Sequence, residues 1–261
     1  METQTEDILT RGTNMRITLE IQRYDPQKDT QAYFNKYEVE LNPEDRLLDA
    51  LMKVKQSIDP TLGFRKSCAH GVCGSDAMVV NGIERLACKT LVKDVINKDG
   101  SPIKIEPLQT LPIQKDLMVD QSRFFDFYRH VKPYFVNNEP VKEKERIQSQ
   151  EERELFDDGT KCILCAACYS ACPVVRGINP SFLGPASIVQ AERFIDDSRD
   201  KGFEEKVPAL DFPDGIWPCQ NFYQCTRVCP RHIKITQLIN KTKEKIVKYR
   251  ASRGEKVYDL K

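Results

Sequence analysis

The feature that most restricts this chain is the spacing of its cysteines, seven of which fall in two short and similar runs. The first run reads Cys162-x2-Cys165-x2-Cys168-x3-Cys172-Pro173. A chain of 261 residues can bury a core without disulfide staples, and C-x2-C spacing suits thiolates that converge on metal. Three sulfurs set two residues apart can wrap one compact iron–sulfur core, while the fourth lies too far along and serves a second core. Pro173 ends the local turn and keeps the following segment from folding back over the site.

A second core requires a second run, and Cys219-x5-Cys225-x3-Cys229-Pro230 supplies it. In register, Cys219 stands with Cys162, Cys225 with Cys168, and Cys229-Pro230 with Cys172-Pro173; Phe222 occupies the position of Cys165. Division by cross-ligation gives Cys162, Cys165, Cys168 and Cys229 as a complete set for a [4Fe-4S] cluster. It leaves Cys172, Cys219 and Cys225 as a set of three. Three thiolates with an apolar side chain at the fourth corner favour a [3Fe-4S] cluster; a water or nearby oxygen holding a fourth iron is the alternative. Structural zinc takes four ligands per site, and seven thiolates do not divide that way.

The remaining cysteines form a different pattern. Cys68-x4-Cys73-x2-Asp76, followed by Cys88, is the loop-plus-later-cysteine layout of a plant-type [2Fe-2S] site, with Asp76 where a third loop cysteine would stand. A carboxylate oxygen is a harder donor than sulfur, so one iron would be bound and tuned differently. The alternative is a solvated Asp76 with another group completing the site. Gly71 and Gly74 let the loop curl closely.

The sequence around these runs predicts an α+β chain in two parts. Residues 15–42 read as a β-hairpin, residues 44–55 as a helix opened by Pro43, and Asn81-Gly82 as a tight turn between short strands. IKIEPL at 103–108 is a further strand, and 116–135 reads as an aromatic helix. The charged stretch 139–161 is expected to be part linker and part short helix, and later helices open at Pro185 and run through ITQLINKTKEKIVKYRAS with a solvated basic tail. These elements divide the chain at 15–114 and 115–261, the second part all-α.

Bulk properties remove several classes of function. The formal net charge is +1, so there is no basic surface to suggest nucleic acid. No apolar stretch approaches the roughly 18 residues of a membrane span, and the acidic start lacks the apolar core of a secretory signal, which points to the cytoplasm. No Ser-His-Asp, HExxH, P-loop or GxGxxG pattern is present, and His70, His130 and His232 have no partners suited to proton-transfer catalysis.

The segments SCAHGVCGSDAMVVNGIERLACKTL, KCILCAACYSACPVVRGINPSFLGPASI, FIDDSRDKG and GIWPCQNFYQCTRVCPRHI together resemble the iron–sulfur subunit of respiratory complex II, meaning succinate dehydrogenase or quinol:fumarate reductase. The resemblance implies a plant-type [2Fe-2S] ferredoxin domain of β-grasp type, followed by an all-α bacterial-ferredoxin-like domain. It implies single-electron relay from FAD on a partner flavoprotein, through [2Fe-2S], [4Fe-4S] and [3Fe-4S] clusters, to quinone at a membrane anchor. It further implies one or two anchor subunits, haem b as an optional cofactor there, and a peripheral place on the cytoplasmic face of the cell membrane. Some members carry aspartate at the position of Asp76. Many ubiquinone-type members carry tryptophans where this chain has Arg176 and Gly177, and histidine where it has Gln220. Pro173, Arg176, Gln220 and Phe222 are therefore the candidates to line a quinone pocket. Two readings compete from other classes: a free-standing multi-cluster ferredoxin and a structural zinc protein.

Overall fold

Period-two alternation organises the first part of the chain. The computed structural model describes residues 14–140 and 143–255, which divide between Asp120 and Gln121 into two compact units. In the first unit, β1 (Met15–Arg23) turns Ile17, Leu19 and Ile21 inward, and β2 (Tyr33–Leu41) turns in Tyr37, Val39 and Leu41. The two strands pair antiparallel from Met15 opposite Leu41 to Arg23 opposite Tyr33. β3 (Ala77–Val80) and β4 (Ile83–Leu86) flank Asn81-Gly82, both in the left-handed region at φ 48° and 78°, as this hairpin turn demands. With β5 (Ile103–Glu106) the sheet order is β2-β1-β5-β3-β4, and β1 and β5 run parallel.

Helix α1 (Leu47–Ser57) buries Leu47, Leu48, Leu51 and Val54. It begins later than Pro43 predicts. The Asn42 side chain accepts the Glu44 N–H at 2.9 Å and Asp45 accepts the Asn42 N–H at 3.0 Å, so a local turn displaces the first helical turn. The helix predicted over 116–135 is also shorter. Left-handed Asp116 (φ 49°) reverses the chain between β6 (Ile113–Lys115) and β7 (Met118–Val119), and α2 spans only Ser122–His130. The expected division after residue 114 thus falls inside β6, and the units part after Asp120.

One inward position of β1 is not apolar. Arg23 continues the phase of Ile17, Leu19 and Ile21 and is 5% exposed. Its guanidinium donates to Asp116 Oδ1 at 2.9 Å, Thr61 Oγ1 at 2.9 Å, the Tyr37 hydroxyl and Asp59. Asp116 in turn accepts the N–H groups of Tyr24 (2.9 Å) and Gly63 (2.7 Å). Each buried charge therefore has a full set of partners, which offsets the cost of taking it out of water.

No strand occurs among the described residues of the second unit. Phe124 of α2 is buried and meets Tyr169 edge-on, with ring centroids 5.6 Å apart. His130 is exposed against the Phe212 ring at 5.5 Å. α3 (Gln150–Thr160) opens on a capping box: Ser149 Oγ accepts the Glu152 N–H at 3.2 Å, and Glu152 accepts the Ser149 N–H at 2.8 Å. The short α4 (Ala167–Ser170) and a π-helical turn (Val174–Ile178) lead to α5 (Pro185–Ile195). α5 is buried on every face from Pro185 to Glu192 and packs against α3 and against α8 (Ile235–Ser252). Between α5 and α8 lie two single-turn helices, α6 (Phe203–Lys206) and α7 (Gln224–Arg227).

Arg23→Ala should lower the stability of the full chain by about 3–5 kcal/mol, because Asp116 is left buried and unpaired. Urea unfolding followed by circular dichroism measures this; an unchanged midpoint would show that the network makes no net contribution.

Candidate metal centres

The first centre is a loop pinned to the edge of the sheet unit. Ala69 (φ 60°), Gly71 (φ 77°) and Gly74 (φ 68°) are all left-handed, and a Cβ on Gly71 would come within 2.6 Å of Lys89 Cγ. Arg46 holds the loop by donating to the Ala69 carbonyl at 2.7 Å. The curl aims three backbone N–H groups at Cys68 Sγ, from His70 (3.4 Å), Val72 (3.4 Å) and Cys73 (3.3 Å). Those donors favour the thiolate and lower the Cys68 thiol to about 6. Cys73 Sγ lies 3.3 Å from Cys68 Sγ. Two thiolates sharing one tetrahedral metal at bonds of ~2.3 Å stand about 3.8 Å apart, so this pair suits a common iron.

The other two donors lie deeper. Cys88 is buried, and Asp76 is 3% exposed, so the carboxylate is not solvated. The Cys88 N–H donates to Asp76 Oδ2 at 2.6 Å, while Asp76 Oδ1 is buried with no hydrogen-bond partner. Burial, and then the neighbouring Asp76, pushes the Cys88 thiol up to about 12. One carboxylate oxygen is thus held by backbone and the other is an orphan beside a buried thiol, the state expected of a ligand awaiting metal. His70 is exposed in this loop.

In the second unit the backbone repeats the register of the cysteine runs. Leu164 and Asn221 are left-handed at φ 54° and 59°, and Ala166 and Tyr223 at φ 63° and 60°. Cys165 and Phe222 therefore sit at equivalent points, and α4 and α7 follow at equivalent distances. The seven thiols divide between two cavities. Cys162, Cys165, Cys168 and Cys229 line one, walled by Ile163, Ala186, Val189 and Ile233. Cys172, Cys219 and Cys225 line the other, with Pro173, Gln220, Phe222 and Thr236. Among the described residues, no three His, Cys, Asp or Glu side chains converge closely enough to hold a single metal ion. The thiols ring open space instead, which suits a polynuclear core better than zinc.

Charge follows the same division. Burial raises the Cys165 thiol to about 12, and Cys162 and Cys229 add repulsion. Burial likewise raises Cys172, with added repulsion from Cys225 and Cys219. Burial also raises Cys168, which is repelled by Cys165, Cys162 and Cys229 of its own ring and by Cys225 of the other. Backbone N–H groups of Val175 and Val174 at Cys172, and of Ile233 and Arg231 at Cys229, act in the opposite direction. Such thiols ionise only when metal cations arrive.

Of the quinone-pocket candidates, Pro173, Gln220 and Phe222 border the three-cysteine cavity. Arg176 does not; it is exposed on the π-helical turn. Two residues emerge that the sequence reading passed over. Thr236 Oγ1 lies 3.5 Å from Cys225 Sγ and 3.0 Å from Thr226 Oγ1. Lys243, within the helix expected to be solvated at its basic end, turns inward and donates to the Cys219 carbonyl at 2.9 Å; burial lowers its ammonium. Its position four residues after Ile239 and three before Ile246 places it on the buried stripe of α8, a pattern that could have revealed it.

Residues 18–126 match the family described as a 2Fe-2S iron-sulfur cluster binding domain, and residues 158–233 match the 4Fe-4S dicluster domain. A succinate dehydrogenase iron-sulfur subunit from Coxiella burnetii is 37% identical over 88% of this chain and 97% of its own. A fumarate reductase iron-sulfur subunit from Mycobacterium tuberculosis is 39% identical over 84% of this chain and 87% of its own. A chain of the Mycobacterium smegmatis Sdh1 complex in the apo form superposes with a TM-score of 0.81 at 27% identity, covering 91% of this chain and 98% of that one. The chain belongs to the iron–sulfur subunit family of succinate dehydrogenases and fumarate reductases. It is an electron-relay subunit of such an oxidoreductase, with a mixed-sheet [2Fe-2S] unit followed by a helical unit of the [4Fe-4S] dicluster type. Dehydrogenase and reductase relatives are similar to it at nearly equal identity, and the electron relay is what they share.

Asp76→Cys is expected to keep a [2Fe-2S] centre while shifting its midpoint potential and reduced-state EPR spectrum. If both stay at the wild-type values, Asp76 is not a ligand.

Proposed function

We propose that this chain is the relay subunit of a succinate:quinone oxidoreductase, carrying single electrons from FAD on a flavoprotein to quinone at a membrane anchor. The observation that carries this reading is the division of seven thiols into a ring of four and a ring of three. Cys68, Cys73, Asp76 and Cys88 would hold the [2Fe-2S] cluster. Cys162, Cys165, Cys168 and Cys229 would hold the [4Fe-4S] cluster, and Cys172, Cys219 and Cys225 the [3Fe-4S] cluster. When bound, these clusters supply one-electron chemistry between a two-electron donor and a two-electron acceptor.

The protein residues set the conditions. Amide donors at Cys68 favour its anionic form, and apolar walls of Ile163, Val189 and Ile233 keep water from the four-thiol ring. At the three-thiol ring, Phe222 stands where a fourth thiolate would, and it is exposed at the mouth together with Gln220. These two, with Pro173, would meet the quinone, while Lys243 braces the Cys219 carbonyl. Arg176 is placed to meet an anchor residue from its exposed turn. Among the described residues no helix is long and apolar enough to cross a membrane, and we assign attachment at the cytoplasmic face to one or two anchor subunits, with haem b there as a further cofactor. Succinate chemistry would lie on the flavoprotein. The same residues would serve quinol:fumarate reduction with the electron flow reversed.

The test is non-haem iron analysis with low-temperature EPR on the complex purified anaerobically. About nine irons per relay chain are expected, with a three-iron signal in the oxidised sample. Phe222→Cys should convert that centre to [4Fe-4S] and remove the signal. About ten irons in the unmodified protein, with no three-iron signal, would overturn the assignment at the second ring.

A further inference from the structure

A carboxyl group that plays no part in cluster binding lies behind the four-thiol cavity. Glu192 of α5 has a fully buried side chain; no N–H group donates to either of its oxygens, and its hydrogen-bonding neighbour is the Asp196 carboxyl. The nearest cation, Lys241 Nζ on α8, stands 4.0 Å away. That lysine and Lys245 are already committed to Asp196, one turn further along α5 and equally buried. A carboxylate in such a place is poorly compensated and gains from taking a proton.

Its position ties it to the four-thiol centre. Ala186 and Val189 of α5 line that cavity, and Glu192 is three residues beyond Val189, on the same side of the helix. Its Oε2 faces Gly159 of α3 so closely that a Cβ there would approach to 3.1 Å. The Gly159 carbonyl in turn accepts the N–H of Cys162 at 3.3 Å. Glu192 also has a route to water: Lys241 lines an open polar groove with Tyr223, Gln237, Asn240 and Glu244.

The charges acting on Glu192 are Asp196, Lys241 and Lys245. Of the other charged groups on the elements packed against α5, Glu244 of α8 opens onto the same groove, and the following have partners of their own. Asp157 and Asp158 of α3 pair with Arg153 and Lys161, and Asp126 of α2 pairs with Arg129. Arg123 of α2 donates to the Pro180 carbonyl, Lys206 of α6 pairs with Asp200, and Arg193 donates to Gln190. Burial, and then repulsion from Asp196, pushes the Glu192 carboxyl up to about 8, against the pull of the two lysines.

We propose that Glu192 is a redox-linked proton acceptor, taking up one proton when the four-thiol centre gains an electron and releasing it when that electron moves on. The inference rests on the reading of Cys162, Cys165, Cys168 and Cys229 as one cluster site. The electron is the one the relay already carries. An O–H bond forms on Glu192 as a hydronium ion, arriving by way of the polar groove that Lys241 lines, gives up its proton and becomes water. Onward transfer of the electron reverses this, so above about pH 8 one proton accompanies each electron. Added negative charge favours the protonated carboxyl, so reduction raises the affinity of Glu192 for its proton.

The test is an EPR-monitored redox titration of the [4Fe-4S] centre in the intact complex at a series of pH values. In the unmodified protein the midpoint potential should stay level in acid and fall as pH rises through and above 8. In Glu192→Gln, which keeps shape but cannot ionise, it should stay level throughout. Equal slopes in the two proteins would overturn the proposal. Reduced-minus-oxidised infrared difference spectra of the unmodified complex give a second readout that needs no variant. A carboxylic acid band that appears on reduction above pH 8 and shifts in D2O supports the proposal, and its absence overturns it. If no [4Fe-4S] signal develops at all, it is the ligand assignment that fails, and the proton inference falls with it.

Discussion

The second unit depends on holding seven thiols in two rings that protein alone does not stabilise. Burial raises Cys165, Cys168, Cys172, Cys225 and Cys229 above the ordinary thiol range, and mutual repulsion adds to it. Cys168 lies between the rings and is opposed by thiols of both. Iron bound there would resolve this conflict by neutralising the sulfurs as they lose their protons, which would link metal binding to folding of this unit. The local architecture points the same way. α4 and α7 have four residues each, far below the length at which a helix stands alone. They are held by the thiol rings at their ends and by α5 and α8 at their backs, and Gly184 lets α5 begin against the face of Tyr169, where a Cβ would come within 2.4 Å of the ring.

The first unit solves a different problem. Its sheet and helix form an ordinary apolar core, and the metal-binding loop is an addition to it. The candidate donors of that site are of two kinds. Cys68 and Cys73 are accessible and supported by backbone amides, whereas Cys88 and Asp76 are buried and supported by each other. A centre bound this way is asymmetric before any electron arrives, in donor type and in exposure, and both properties tune a cluster's potential. The Arg23 network keeps the sheet closed beneath the reversal at Asp116 and includes Gly63, which leads toward the cysteine loop.

What was legible in the sequence depended on how local its cause was. The Asn81-Gly82 hairpin, the β1–β2 pair and the extent of α8 follow from turn chemistry and periodicity within the segment, and the structure shows them as predicted. The cysteine runs were legible because their spacing is itself the geometry. Three features failed for identifiable reasons. The reversal at Asp116 is set by partners distant in sequence, Arg23 and Gly63, and an aromatic helical pattern masked it. Glu192 and Lys243 read as surface charges on helices; only packing on every side of α5, and the approach of Cys219 to α8, shows that they are inside.

The two halves of the second unit separate fold from chemistry. At the point where the first half carries Cys165, the second carries Phe222, yet the flanking left-handed residues persist. Asparagine accepts that conformation readily at 221, whereas Tyr223 does not favour it. A ligand at position 222 cannot be what holds the turn, because no ligand is there. The turn is fixed instead by α7 and by the thiols at Cys219 and Cys225, on either side of it, and by the packing of α7 against α4 and α8. Strain of this kind survives only where the surroundings over-determine it. A single exchange at that point therefore leaves the scaffold in place, and it sets the apolar Phe222 side chain at the mouth of the cavity where we propose that quinone docks.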